Sequence, residues 1–226
     1  VAIVGSGNNV SLYLNGVKSA NVLQGHSTYN SNLSKKIYIG SREMLHKGNR
    51  MYFNGYIQDF RISKKAVYTG CFVPPASLHA NLVTIPSDPT CDEINLWLRS
   101  DTNIESSAIT DASDNNHSIT KHGNARHETS KKLFGESSLY FDGNGDYLQI
   151  EDNSLRNLHN GANDFTIECW VNIPAWQRDS SGQQRAHILG TGGTTAEVGI
   201  WLVAINMNNN GFVFRVTKGS GGSPVV

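Results

Sequence analysis

Asp142-Gly143-Asn144-Gly145-Asp146 sets three oxygen-bearing side chains at alternate positions of a glycine-rich turn. Oxygens so spaced can converge on a hard cation such as Ca²⁺, with carbonyls and water completing the shell. The same residues equally describe a tight hairpin, with Asn144-Gly145 supplying positive φ angles and the aspartates capping backbone amides. Asp111-Ala112-Ser113-Asp114 has the same two readings. A different chemistry is suggested by Pro174-Ala175-Trp176-Gln177-Arg178-Asp179, where an indole sits among amides and a guanidinium. A ring there can stack on an apolar ligand face while Gln177 and Arg178 bond hydroxyls, or it can fold back over a sheet edge. The loop 41–50, with Arg42, His46, Asn49 and Arg50, forms a second candidate rim. Nucleophilic chemistry is less visible, because no strand-turn-helix elbow marks a serine or cysteine.

Loops that bind need a rigid frame. Short β-branched and aromatic runs separated by Gly, Asn, Ser and Asp predict strands at 1–4, 10–14, 36–40, 51–63, 94–98, 117–120, 138–141, 146–150, 165–173, 186–190, 198–206 and 212–217. Phe165, Ile167, Cys169, Val171 and Ile173 alternate with Thr166, Glu168, Trp170 and Asn172, the in/out period of a two-layer fold. Helix is expected only as single turns after Ser63 and Asp152, since no sustained 3.6-residue apolar period occurs. Four of the 6 prolines fall between Phe72 and Pro89, so this segment reads as a crossing or linker. Of 226 residues, 38% are hydrophobic and 17% charged, with 22 glycines, a loop-rich β composition long enough for one large domain. Net charge is +0 and no basic run appears, which argues against nucleic acid as a partner. No apolar stretch approaches the ~18 residues that a membrane-spanning helix needs. Among the 3 cysteines, Cys169 is expected in the core, while Cys71 and Cys91 are read either as thiols or as a pair in an oxidising compartment. The Asn-x-Ser triplets at Asn9, Asn32 and Asn116 carry no weight in so Asn- and Ser-rich a chain.

Asn49-Arg50-Met51-Tyr52-Phe53-Asn54-Gly55-Tyr56-Ile57-Gln58-Asp59-Phe60-Arg61-Ile62 resembles the closing strands of a laminin-G-like domain of the concanavalin A-like superfamily. Lys132-Leu133-Phe134-Gly135-Glu136-Ser137-Ser138-Leu139-Tyr140-Phe141-Asp142-Gly143 and Phe165-Thr166-Ile167-Glu168-Cys169-Trp170-Val171 resemble its opening segments. Ser11-Leu12-Tyr13-Leu14-Asn15-Gly16 resembles the segment that follows the point where the chain stops. The motifs thus stand in circularly permuted order, as in a permuted domain or a window cut across an array of tandem domains; a start at Val1 with no leader favours the window. The resemblance implies an all-β jelly-roll sandwich of two antiparallel sheets, with residues 1–63 and 94–226 forming one domain and 64–93 its junction. Closure within one chain and strand exchange in a homo-oligomer both remain open. It further implies a non-catalytic binding or adhesion module at a cell, virion or other extracellular surface, with a carbohydrate or glycoprotein partner. Asp59 and Arg61, which match the family's recurring acid and base, are expected on one face of their strand, in an ion pair or bonded to nearby loops. The superfamily's glucanases carry two carboxylates at alternating strand positions; here Glu168 has no second carboxylate at i+2 or i+4, and the pairs Asp92-Glu93 and Glu151-Asp152 point to opposite faces. A spacer that binds nothing small, and a glycosidase whose second carboxylate comes from a loop, are the alternatives.

Overall fold

The computed structural model describes residues 1–24, 36–44, 49–74, 94–100, 108–152, 155, 163–174, 176–178, 182, 184–191, 199–206 and 211–217. In chain order its strands are β1 (Ala2–Ser6), β2 (Asn9–Leu14), β3 (Val17–Gln24), β4 (Lys36–Ile39), β5 (Ser41–Met44), β6 (Asn49–Tyr52), β7 (Asn54–Ser63), β8 (Ile94–Leu98) and β9 (Ile119–His122). They continue as β10 (Arg126–Glu128), β11 (Ser138–Asp142), β12 (Tyr147–Glu151), β13 (Phe165–Asn172), β14 (Gln177–Arg178), β15 (Gln184–Thr191), β16 (Gly199–Asn206) and β17 (Gly211–Thr217). One antiparallel sheet runs β10-β11-β7-β13-β1-β2-β3, with β8 also on β7; the second runs β17-β16-β15-β4-β12-β9, with β14 also on β15; β5 and β6 form a separate hairpin. The protein is therefore an all-β, concanavalin A-like sandwich.

Strands from 1–63 and from beyond 94 alternate within both sheets. β13 lies between β1 and β7, with Ile3 opposite Ile167 and Ile62 opposite Ile167 on the other side. β4 lies between β12 and β15, with Ile39 opposite both Leu148 and Leu189. A single apolar cluster fills the space between the sheets: Ile3, Ile57, Phe60, Ile62, Phe141, Phe165 and Ile167 from the first meet Ile37, Ile39, Leu148, Ile150, Ile188 and Leu202 from the second. Cys169, 4% exposed, belongs to this core as its alternation requires, and burial pushes its thiol up to about 12. On the outer face of the first sheet, Ala2, Val4 and Tyr13 near β1 pack under Ala66, Tyr68 and Phe72 of the segment that leaves β7.

Local signals explain the turns, with several departures from the sequence reading. Asn15 and Gly16, at φ 49° and 77°, make the two-residue turn between β2 and β3 that an Asn-Gly pair favours. The expected continuous strand 51–63 is broken at Phe53, which is wholly buried and donates its amide to Gly40 O, so β6 leaves for the hairpin and β7 enters the first sheet. The turn 143–146 does not close a hairpin, because β11 and β12 lie in different sheets; its positive φ angles belong to Gly143 and Gly145 and not to Asn144. β3, β5, β10 and β14 have no counterpart among the predicted strands, being polar or very short. No described residue is helical, and residues 64–74 run as an irregular cover over the sheet, with bends at 64–65 and 69–70.

Candidate functional site

The outer face of the first sheet carries the polar members of β7 and β13, and the register sets them in rows. Trp170 stands opposite Gln58, Asn172 opposite Tyr56, and Glu168 opposite Arg61. Between Glu168 and Trp170 the register shifts by one, so Asp59 and Phe60 both face Cys169. Asp59 absorbs this bulge at φ 51°, a conformation that aspartate tolerates better than most residues. The shift returns Phe60 to the core and Arg61 to the outer face, where strict alternation after Ile57 would have reversed them.

Two clefts open over these rows and meet at Asn15 and Trp170. The first, a crevice of ≈ 30 Å³, lies between the β2–β3 turn, Phe72 and Pro74 on one side and Asp59, Arg61 and Glu168 beneath. The second, ≈ 300 Å³, is floored by Tyr56, Gln58, Trp170 and Asn172 and walled by Lys131, Lys132 and Leu133. Only the second reaches the lower end of the size range of sites that hold small ligands.

One side chain makes four hydrogen bonds to the wall. Gln58 Nε2 donates to Phe134 O at 2.7 Å and Ser137 O at 2.8 Å, while its Oε1 accepts from Leu133 N at 2.9 Å and Phe134 N at 3.2 Å. All four hydrogen-bonding positions of the amide are thus spent on a single loop. Phe134 is brought edge-on to Trp170, ring centroids 5.5 Å apart, which fixes the indole. Ser138 Oγ–H also donates to Lys131 O within the same wall.

The floor of the smaller cleft is electrostatically closed. Arg61 Nη2 donates to Glu168 Oε1 at 2.7 Å, with the two side chains only 3% and 12% exposed. Tyr68 O–H donates to Glu168 Oε2 at 2.7 Å, and Trp97 Nε1–H to Asp59 Oδ1 at 2.7 Å. Arg61 is therefore the base of an ion pair, its partner lying on β13 and not on its own strand. Each carboxylate is fixed by donors from a different element, an arrangement that builds a rigid surface.

The other sequence-predicted residues are distributed around the sandwich. Trp176 is half-buried and packs against the main core. Arg178 is exposed, its Nη1 donating to Gly182 O, and Gln177 lies on β14 opposite Arg185. Arg42 is half-buried on β5, and Asn49 opens β6 opposite Met44. The two rims are not brought together: β14 pairs with Gln184 and Arg185, whereas a Cβ added at Gly190 would meet Arg42 Cα at 3.1 Å. Five to six residues of β15 separate these points, on the order of 20 Å. Most of the loop 41–50 beyond β5, and residues 179–181, lie outside the described residues, as does Cys91; Cys71 is exposed.

At the glycine-rich turn, Asp146 is 0% exposed, and its Oδ1 accepts Asn124 N–H at 2.5 Å while Oδ2 accepts Asp142 N–H at 2.9 Å. Asp142 Oδ1 in turn accepts Asn144 N–H at 2.6 Å. Burial raises the Asp146 pKa above its usual value, partly opposed by those amide bonds. Asp111 acts in the same way, accepting the backbone amides of Trp97, Ser113 and His117 and the Ser113 hydroxyl. Among the described residues no three His, Cys, Asp or Glu side chains are grouped as metal ligands.

The clefts thus lie on the outer face of a two-sheet antiparallel sandwich. Residues 1–69 match the family model Laminin_G_3, described as concanavalin A-like lectin/glucanases superfamily. No curated protein and no solved structure matches the chain. Trp170, now central, was assigned only a strand face by sequence; that its face stays uncovered depends on where the cover 64–74 ends and where Gln58 holds its loop.

Proposed function

We propose that this chain is a non-catalytic binding module that holds a glycan or glycoconjugate in the groove over Trp170. The observation that carries the reading is the meeting of both clefts at Trp170, an indole flanked by the side-chain amides of Asn15 and Asn172 and the phenol of Tyr56. An aromatic face beside planar amides and hydroxyls offers a sugar its apolar face and its hydroxyl partners together. Hydrolysis is not part of the reading. Glu168 and Asp59 share the smaller cleft, but each is tied to donors of the fold, whereas glycoside hydrolysis needs one carboxyl to deliver a proton and the other to attack or activate water.

The match of residues 1–69 to the superfamily's model supports placement on an extracellular, cell or virion surface, and no helix among the described residues is long and apolar enough to cross a membrane. A shallow groove of this kind binds weakly alone, near millimolar or roughly 4 kcal/mol, and gains strength when copies are linked. The test is a glycan array probed with a multimerised protein beside Trp170→Ala and Trp176→Ala. Binding lost in Trp170→Ala and kept in Trp176→Ala is expected. The reverse would move the site to the β14 rim, and no binding by the parent protein would favour a spacer.

A further inference from the structure

Asparagine followed by glycine is where a chain most readily attacks itself, because glycine has no side chain to shield its nitrogen from the neighbouring carboxamide. The sequence holds such pairs at Asn15-Gly16, Asn54-Gly55, Asn144-Gly145, Asn160-Gly161 and Asn210-Gly211, and both residues of the first three lie among the described residues. The fold treats these three differently. Gly55 is buried within β7 opposite Phe141, and a Cβ there would meet Asn172 O at 2.3 Å. Gly16 is buried as well. Phe72 N donates to its oxygen at 3.0 Å, and Phe72 O lies so close that a Cβ on Gly16 would meet it at 1.8 Å. The third pair is open: Asn144 is exposed, and nothing stands within 4 Å of where a Cβ of Gly145 would be. Among the described residues neither the Asn144 carboxamide nor the Gly145 N–H takes part in a hydrogen bond. The one bond Asn144 makes, from its own N–H to Asp142 Oδ1 at 2.6 Å, lies upstream of the bonds that a reaction with Gly145 must rotate.

We propose that Asn144 is a site of spontaneous modification, converted to isoaspartate and aspartate through a cyclic imide, while the fold protects Asn15 and Asn54. The Gly145 nitrogen gives its proton to solvent base and attacks Asn144 Cγ. A bond forms between them as the bond from Cγ to the side-chain nitrogen breaks, and ammonia leaves. Water then opens the imide. Attack at the main-chain carbonyl carbon routes the backbone through Cβ and Cγ and gives isoaspartate; attack at Cγ gives aspartate. Ring closure requires rotation about the asparagine Cα–C bond, which at Asn144 breaks no hydrogen bond of Gly145. At Asn15 the same rotation breaks the bond from Phe72 N to Gly16 O, and at Asn54 it disrupts the pairing of β7 with β11, so both must wait for local opening. Protection matters to the groove, since Asn15 lines both clefts and the cover segment that carries Phe72 preserves its amide. Modification matters to the turn between the sheets. Isoaspartate lengthens the link between Asp142 and Asp146, whose carboxylate holds the N–H groups of Asp142 and Asn124.

The experiment ages the parent protein at neutral pH and body temperature, digests it, and maps each Asn-Gly pair by mass spectrometry with fragmentation that separates isoaspartate from aspartate. Synthetic peptides carrying each pair with its own flanks supply the rates without structure. Expected is conversion of Asn144 within about twofold of its peptide, with isoaspartate the main product, and slowing of Asn15 and Asn54 by about fivefold or more, the factor that one net backbone hydrogen bond places on local opening. In urea all three rates should return to those of the peptides. The aged fraction should melt lower than fresh protein and lower than Asn144→Asp, which carries the new charge without the longer backbone, whereas aged Asn144→Ser should melt as it does when fresh. Asn144 slowed as much as Asn15 and Asn54, or Asn15 and Asn54 converted as fast as their peptides, overturns the proposal. An isoaspartate fraction that melts together with Asn144→Asp overturns the consequence drawn for the turn.

Discussion

Replacing Gln58 by leucine removes at one stroke the four hydrogen bonds that hold the wall of the groove to its floor. Gln58 is 3% exposed, and leucine has nearly its volume, so the change tests bonding more than packing. Each bond contributes about 1 kcal/mol net, which sets a ceiling near 4 kcal/mol. The partners Leu133 N, Phe134 N and Phe134 O are only partly buried and regain water when the loop lifts, whereas Ser137 O is buried and does not. A cost of about 2–3 kcal/mol follows, or a melting temperature lower by roughly 4–12 °C for a domain of this size. Thermal unfolding followed by circular dichroism gives the first number. Tryptophan fluorescence gives an independent one, because release of Phe134 from Trp170 changes the surroundings of the indole before global unfolding. Gln58→Glu sharpens the test: as a carboxylate it sets oxygens against Phe134 O and Ser137 O, and once protonated it recovers one donor, so its deficit should shrink on acidification. A Gln58→Leu protein that melts within about 1 °C of the parent with unchanged fluorescence would refute the assignment of the loop's position to this side chain.

Four further outcomes are expected. Glu168→Gln leaves the Arg61 guanidinium buried without its counter-charge and should cost about 3 kcal/mol in denaturant unfolding, more than Lys36→Gln, whose partner Glu151 is exposed and 3.8 Å away. Cys71 should react with a thiol reagent at pH 8 under native conditions while Cys169, with its pKa pushed up to about 12 and no exposure to the reagent, stays inert until the protein unfolds; equal rates would contradict the core placement. Asp146→Ala should destabilise by about 2 kcal/mol through two orphaned amides. Because burial raises the folded-state pKa of Asp146, its contribution to stability is fullest below the ordinary value of 3.8 and falls as pH rises through the folded value, so the gap between parent and Asp146→Ala should narrow in that direction. Calcium at Asp142, Asn144 and Asp146 would have to displace those amide bonds, so millimolar calcium and a chelator are expected to leave the melting temperature unchanged; an upward shift with calcium that Asp146→Ala abolishes would place the ion there.

The sandwich was legible because alternation is a local property: Phe165, Ile167 and Cys169 announce a buried face whatever their neighbours do. What alternation cannot show is a bulge at a residue that is not glycine, and Asp59 is such a residue. Its consequence is long-range. By returning Phe60 to the core and Arg61 to the surface, it sets the guanidinium opposite Glu168 across the strand pair, and Glu168 in turn receives Tyr68 from the cover segment. The same bulge divides one edge of β7, with Asn54–Ile57 pairing β11 and Phe60–Ser63 pairing β8.

Trp176 drew attention in the sequence because it lies among polar loop residues, yet a short strand folds it onto the core; Trp170 was hidden inside a strand, yet the face it occupies is left open. Exposure of a strand residue is decided by what crosses above it. Here that depends on Gln58, 76 residues away from the Phe134 carbonyl it bonds, and on Tyr68, 100 residues from Glu168. The site is therefore a property of contacts between the two parts of the chain that alternate in the sheets. A protein lacking either part would keep the strands' alternating pattern and lose the groove, which is why the motifs alone identified a fold and not a binding surface.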